Sequence, residues 1–275
     1  MLPHTFCHLS GVGPATERRW WANGIQCWEE ALSADLAVPR SGRTVVMREL
    51  EESRRALAAD PHFFTDRLPG HQAWRIFPHF REHTAYLDIE TCPAGDFCDI
   101  TAITLYDGHS VRVYVNGHNL DDFPGDLEVF SVLVSYNGRS FDIPVIERFF
   151  HLRVEQAHID LRHVLARLGC RGGLKGCEKQ FGIHRGLLDG VDGSSAVALW
   201  RQYQRYDDQA ALQTLLAYNV EDTVNLERLM VEAYNRHRLL TPFGDTGLIS
   251  YPEPPLLPYD ADAETVSRLL TTTRP

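Results

Sequence analysis

The stretch His83-Thr84-Ala85-Tyr86-Leu87-Asp88-Ile89-Glu90-Thr91 constrains this chain more than any other. At the strand period of two, Ala85, Leu87 and Ile89 share one face, and Tyr86, Asp88 and Glu90 share the other. The apolar half demands burial, so the stretch belongs in a sheet. Two carboxylates then stand side by side on its second face. Carboxylates that close raise each other's pKa, and they cost free energy unless solvent or a cation neutralises them. A solvent-facing strand edge meets that need, and so does a cation site.

The chain beyond Thr91 is rich in strand signals. Residues 99–106 and 111–115 are β-branched runs joined by Asp107-Gly108-His109, a hairpin signal, so three antiparallel strands are expected. Residues 127–130 read as the end of a short helix. Residues 132–136 read as a buried strand ended by Asn137-Gly138, and a helix is expected from Ser140-Phe141-Asp142-Ile143-Pro144 to about residue 150. A short strand at 157–160 precedes helices near 161–168, 174–181 and 194–206 and a long helical stretch over 209–236. Strands first, then a βα alternation, predict an α/β domain whose mixed five-stranded sheet has three antiparallel and then parallel strands, flanked by helices.

The sequence before this domain reads as a small helical region. Residues 1 to about 38 carry Gly11-Val12-Gly13 with Pro14 opening a helix, the shape of a helix-hairpin-helix element. The backbone N–H groups of such a turn can hold a phosphate, which makes Gly11 and Gly13 candidate contacts. A tight turn before a structural helix, with Trp20, Trp21 and Trp28 as core, fits equally. A short helix over 26–32 and a longer one over 43–59, with Val46, Leu50 and Leu57 inward, are expected. Asp60-Pro61 stops the latter. The aromatic residues Phe63, Phe64, Trp74, Phe77 and Phe80 suggest that 62–80 packs against the next domain. Three regions result: 1–80, 81–240, and a tail, 241–275, whose Pro242, Pro252, Pro254, Pro255 and Pro258 predict an extended or partly disordered segment.

Composition narrows the function classes. The 275 residues are 44% hydrophobic and 23% charged, as in globular proteins. No apolar run approaches the roughly 18 residues of a membrane span, and the N-terminus lacks a signal-peptide layout, so a cytoplasmic protein with no membrane partner is expected. The six cysteines form no CxxC pair, which argues against a zinc ribbon or iron–sulfur site. A net charge of −10 argues against adhesion to nucleic acid through the whole surface, but a carboxylate cluster neutralised by bound ions is compatible with it.

Two further acids and a tyrosine join the opening pair. Asp142 falls in the first turn of a helix after a buried strand and a glycine turn, a usual place for functional groups in open sheets, although a helix N-terminal acid also complements the dipole. Tyr218 and Asp222 are spaced i, i+4 and lie one above the other on a stripe with Leu215, Leu226 and Leu229. Glu221 faces differently and is expected to be solvated. Together, Asp-x-Glu on the first strand, Asp after a later strand-glycine turn, and Tyr-x-x-x-Asp on the last helix resemble the tyrosine branch of the DEDD exonucleases, on a ribonuclease H-like fold. Leu87-Asp88-Ile89-Glu90-Thr91, Tyr136-Asn137-Gly138-Arg139-Ser140-Phe141-Asp142-Ile143-Pro144 and Tyr218-Asn219-Val220-Glu221-Asp222-Thr223 look like the YprB-type ribonuclease H-like domain. Gly173-Leu174-Lys175-Gly176-Cys177-Glu178 and Phe181-Gly182-Ile183-His184-Arg185 look like it too.

The resemblance implies a metal-dependent 3′→5′ exonuclease in which Asp88, Glu90, Asp142 and Asp222 hold two divalent cations, Mg²⁺ or Mn²⁺, and Tyr218 orients the attacking water. Hard cations take oxygen ligands, so acids serve where Cys and His would not. Nucleic acid is the implied partner, DNA more than RNA, in repair or processing, with room for a helicase partner. A structure-selective endonuclease on the same fold and a catalytically silent recruitment module are the alternatives. The basic stretch Arg162, His163, Arg167, Arg171, Lys175, Lys179, His184 and Arg185 is assigned either to the substrate backbone, with Lys175 and Arg185 as contacts, or to a solvated helical face. Tyr136 and Phe141 are read as core, with stacking on a terminal base as the alternative.

Overall fold

The computed structural model describes residues 1–34, 42–94 and 97–272. Within the N-terminal region, Gly13 caps α1 (Pro14–Ala22), and α2 (Trp28–Ser33), α3 (Arg43–Ala56), α4 (Pro61–Thr65) and α5 (Phe77–Phe80) come after it. Among the described residues, the element before Gly11 is a single 3₁₀ turn, Leu2–His4, where the first arm of a hairpin element would lie. Of the helical stretch expected to about residue 38, residues 35–38 lie outside the described residues.

The sheet is built from β1 (Thr84–Ala94), β2 (Phe97–Tyr106), β3 (Val111–Val115), β4 (Val132–Ser135) and β5 (Ala157–Asp160), in the order β3-β2-β1-β4-β5. β1, β2 and β3 pair antiparallel, and β1–β4 and β4–β5 pair parallel, the mixed arrangement read from the sequence. α6 (Phe123–Leu127) ends where the sequence suggested a helix end, and α7 (Asp142–Phe150) covers one face with it. Ala85, Leu87 and Ile89 pack there with Ile103, Val145 and Ile146. α8 (Leu161–Ala166), α9 (Gly173–Gln180), α10 (Gly193–Tyr206) and α11 (Gln209–Leu239) complete the domain, and α11 lies on β1 and β2 across the opposite face.

The N-terminal helices share one apolar cluster with this second face, so Trp20, Trp28 and Trp74 sit in one core with Tyr86, Leu226 and Tyr234. The Trp74 ring stacks on His237 of α11 at 5.2 Å. A buried ion pair also joins the segments, Arg75 Nη1 to Glu17 Oε1 at 2.7 Å. Residues 247–262 of the tail carry neither helix nor strand, but the tail then forms α12 (Ala263–Thr272), a helix the expected extended segment did not include, with residues 273–275 outside the described set. Asp262 caps α12 by accepting from the Thr265 N–H, and Val266, Leu269 and Leu270 turn toward α10 and α11. Their i, i+3, i+4 spacing after an acidic cap is the signal that the proline count obscures.

Candidate metal centre

β1 outruns its parallel neighbour. It pairs with β4 only through Thr84–Tyr86, so Asp88 and Glu90 project past the carboxyl end of β4, where an open sheet leaves a crevice. A register irregularity between Glu90 and Thr91 breaks the ladder to β2 at that point. Such a bulge bends a strand and re-aims a side chain. α11 closes the crevice from above and supplies Asp222. One carboxylate oxygen each from Asp88, Glu90 and Asp222 lies within 4.8 Å of the others. Three acids from sequence positions up to 134 residues apart thus meet, Glu90 and Asp222 buried and Asp88 partly so.

Burial is the first cause that raises the pKa of Asp88 and of Glu90, and repulsion from Asp222 is the second for both. Asp88 is held by Asn219, whose Nδ2 donates to its Oδ2 at 2.8 Å, while Asn219 Oδ1 accepts from Thr104 Oγ1 at 2.6 Å. Asn219 is fully buried, three residues before Asp222 on the same helix, and was not singled out from the sequence. Its signal is that i, i+3 spacing within Tyr218-Asn219-Val220-Glu221-Asp222.

Asp142 lies beside this group rather than within it. It opens α7 after a turn in which Asn137 takes φ 66° and Gly138 is sterically required, since a Cβ there would stand 2.1 Å from Ser135 Oγ. Asp160 ties the turn down by accepting from the Asn137 N–H at 2.8 Å and the Arg139 N–H at 3.3 Å. Burial pushes the Asp142 carboxyl up to about 7, against backbone N–H groups of Asp142 and Ile89 that favour its anion and with repulsion from Asp160 and Asp222. Asp142 also adds to the repulsion at both Asp88 and Glu90. Phe141, read as core, is instead 41% exposed at the head of α7, whereas Tyr136 is partly buried against Cys177.

Tyr218 is buried, and its hydroxyl accepts from Lys175 Nζ at 2.5 Å; the ammonium also donates to the Val191 carbonyl and sits 4.2 Å from the Tyr218 ring centroid. Burial first, then the Asp222, Glu90 and Asp88 charges, raise the Tyr218 pKa, so the phenol keeps its proton. The basic stretch divides. Arg162, His163, Arg167, Arg171, Lys179 and His184 are exposed. Lys175 is half-buried at Tyr218, and Arg185 is 6% exposed and paired with Glu178 and Asp222. Arg185 is therefore engaged by two carboxylates inside the fold and is not part of a solvated helical face. Glu221 departs from the solvated reading: its Oε2 is shut away from solvent, and burial raises its pKa to about 7. Gly11 and Gly13 are exposed on the turn before α1, but the adjacent Ser10 N–H already donates to the Glu49 carboxylate at 2.7 Å.

The donor set is all oxygen, hard and anionic, which suits Mg²⁺ or Mn²⁺ and not the soft cations that thiolates select. The sheet order and the helices on both of its faces define a ribonuclease H-like α/β protein with an acidic cluster at the strand ends. The sequence model of the RNase_H superfamily matches residues 85–234, and the chain belongs to that superfamily. No curated protein matches the chain. Among solved structures, a family B DNA polymerase from the hyperthermophilic archaeon Pyrobaculum calidifontis aligns with 57% of this chain and 24% of its own, at 15% identity and a TM-score of 0.44. Among the described residues, no helix is long and apolar enough to cross a membrane.

Proposed function

We propose that the protein is a metal-dependent 3′→5′ exonuclease of the tyrosine-bearing DEDD type, hydrolysing phosphodiester bonds at single-stranded or frayed ends, with DNA as the preferred substrate. The observation that carries this reading is the convergence of Asp88, Glu90 and Asp222 within 4.8 Å in a crevice that buries Glu90 and Asp222 and partly buries Asp88. A protein has no structural reason to collect repelling acids at one such point, and a divalent cation removes the cost. Asp88, Glu90 and Asp222 are the first ligands, and Asp142, turned toward the same charges from the start of α7, completes the set. Asp88, Glu90, Asp142 and Asp222 would hold two divalent ions, which would supply water activation and charge stabilisation at the leaving 3′ oxygen.

The chain's own groups do the rest. Asn219 fixes the rotamer of Asp88 through Thr104. Tyr218, whose hydroxyl oxygen already accepts from Lys175, has its own O–H free to orient the water by donation. A raised pKa suits a positioner and disqualifies it as a base. Phe141, exposed beside Asp142, offers a stacking platform for the terminal base. The exposed Arg162, Arg167, Arg171 and Lys179 supply backbone contacts.

A time course with Mn²⁺ or Mg²⁺ on DNA and RNA oligomers labelled at either end tests the reading. A 5′-labelled strand shortening nucleotide by nucleotide is expected, with a circular single strand left uncut. Cleavage of the circle would instead assign a structure-selective endonuclease, and undiminished hydrolysis by purified Asp142→Asn would remove the four-acid assignment.

A further inference from the structure

Arg185 sits where a cation is least expected if the crevice exists to bind metal. Its guanidinium is buried between two carboxylates. Nε and Nη2 donate to the two oxygens of Glu178 at 2.7 and 2.5 Å, and Nη1 contacts Asp222 Oδ1. Glu178 is 1% exposed and takes a further hydrogen bond from Asn225 Nδ2 at 3.0 Å. Both partners of Arg185 are thus fixed, one on α9 and one on α11.

The geometry points to Arg185 as a positioning residue for Asp222, anchored by Glu178, that holds one oxygen of that carboxylate and leaves only the other for an ion. This inference rests on the reading of Asp222 as a metal ligand. Three physical points support it. A guanidinium held bidentate by a buried glutamate has no rotameric route away from Asp222, so the contact persists when the crevice fills. Glu178 and Arg185 together carry no net charge, so the pair orients Asp222 without adding repulsion toward a cation. A carboxylate with both oxygens free can swing between one- and two-oxygen ligation, and fixing one of them sets its denticity and direction.

Two other roles for Arg185 predict different outcomes. A stand-in cation that leaves when metal arrives competes with it, so removing the arginine would tighten metal binding. An ordinary core ion pair would affect folding and leave metal affinity alone.

The test is Mn²⁺ binding by the full chain, measured by calorimetry and by the electron paramagnetic resonance signal of free Mn²⁺, with folding checked by thermal melts. Arg185→Gln is expected to weaken Mn²⁺ binding by about 10- to 100-fold. Should the lone Glu178 charge unfold that variant, the charge-balanced Glu178→Gln/Arg185→Gln double variant is expected to fold and to show the same loss. Arg185→Lys is expected to fold without restoring affinity, because one ammonium cannot serve both carboxylates. Wild-type or tighter Mn²⁺ binding by any folded member of this set overturns the inference. If Asp222→Asn loses Mn²⁺ while these variants keep it, only the role of Arg185 falls. If wild type binds no Mn²⁺, or Asp222→Asn binds it as well as wild type does, the metal-centre reading falls and takes this inference with it.

Discussion

The seam between β1 and α11 buries carboxylates at both of its ends, and the two ends treat them differently. Near the start of β1, Glu227 of α11 is 3% exposed and fully matched: Arg81 Nη2 donates to Oε1 at 2.8 Å and the Tyr106 hydroxyl donates to Oε2 at 3.0 Å. Near the crevice, Asp88, Glu90 and Asp222 crowd within 4.8 Å of one another, with Asn219 on the first and Arg185 on the last. The same strand and helix thus produce one satisfied charge and one cluster with excess negative charge. Breaking a matched buried pair strands a charge and costs stability, whereas an unmatched group of acids costs stability as it stands and marks a candidate functional site.

The largest effect that would sharpen this contrast is on catalysis. Asp222→Asn or Glu90→Gln is expected to lower nucleotide release by roughly 10³-fold or more, since several kcal/mol of charge stabilisation by metal is lost. The metal-free melting temperature of Glu90→Gln should stay level or rise, because a repelling charge has gone. A clear fall there would mean that the cluster is structural. At the matched end the signs reverse. Glu227→Ala is expected to cost about 3 kcal/mol in a urea titration, the low end for breaking a buried pair because Arg81 is partly exposed, with Mn²⁺ affinity unchanged. Coupling between Glu227 and metal binding would break the comparison.

Asn219→Ala should show a smaller, mixed effect. It frees Asp88 and leaves the Thr104 hydroxyl without its acceptor, so roughly 10-fold weaker Mn²⁺ binding and about 1–2 kcal/mol of lost stability are expected. The smallest expected effect is on pH. Asp88, Glu90 and Asp142 all titrate above their ordinary values, so the folded state holds more protons than the unfolded chain, and stability falls as pH rises through that range. For Asp142 the window runs from about 4 to about 7. Metal-free protein should therefore melt a few degrees higher at pH 5.5 than at pH 7.5, and Mn²⁺ should remove the difference. A melting temperature that rises with pH in chelator would contradict the unmatched-acid account.

Much of this architecture was legible from one chain. Alternation placed Leu87 and Ile89 on one face and Asp88 and Glu90 on the other because strand periodicity is a local property of the backbone. Hairpin and glycine-turn signals gave the strand sequence that the sheet adopts, and the i, i+4 spacing put Tyr218 and Asp222 on one face of α11 for the same local reason. α12 escaped because the prolines before it dominate the composition while its apolar stripe is short. The partners of each charge could not be read locally at all. Arg185 looked like one of a run of surface cations and proved to be buried between Glu178 and Asp222, and Glu221 looked solvated and proved half-buried. Periodicity determined which side chains leave a given face; only the packing of α11 over β1 and of α9 against α11 decided which charges would face one another without water between them, because desolvation and Coulomb energy depend on distances in space, not on spacing along the chain.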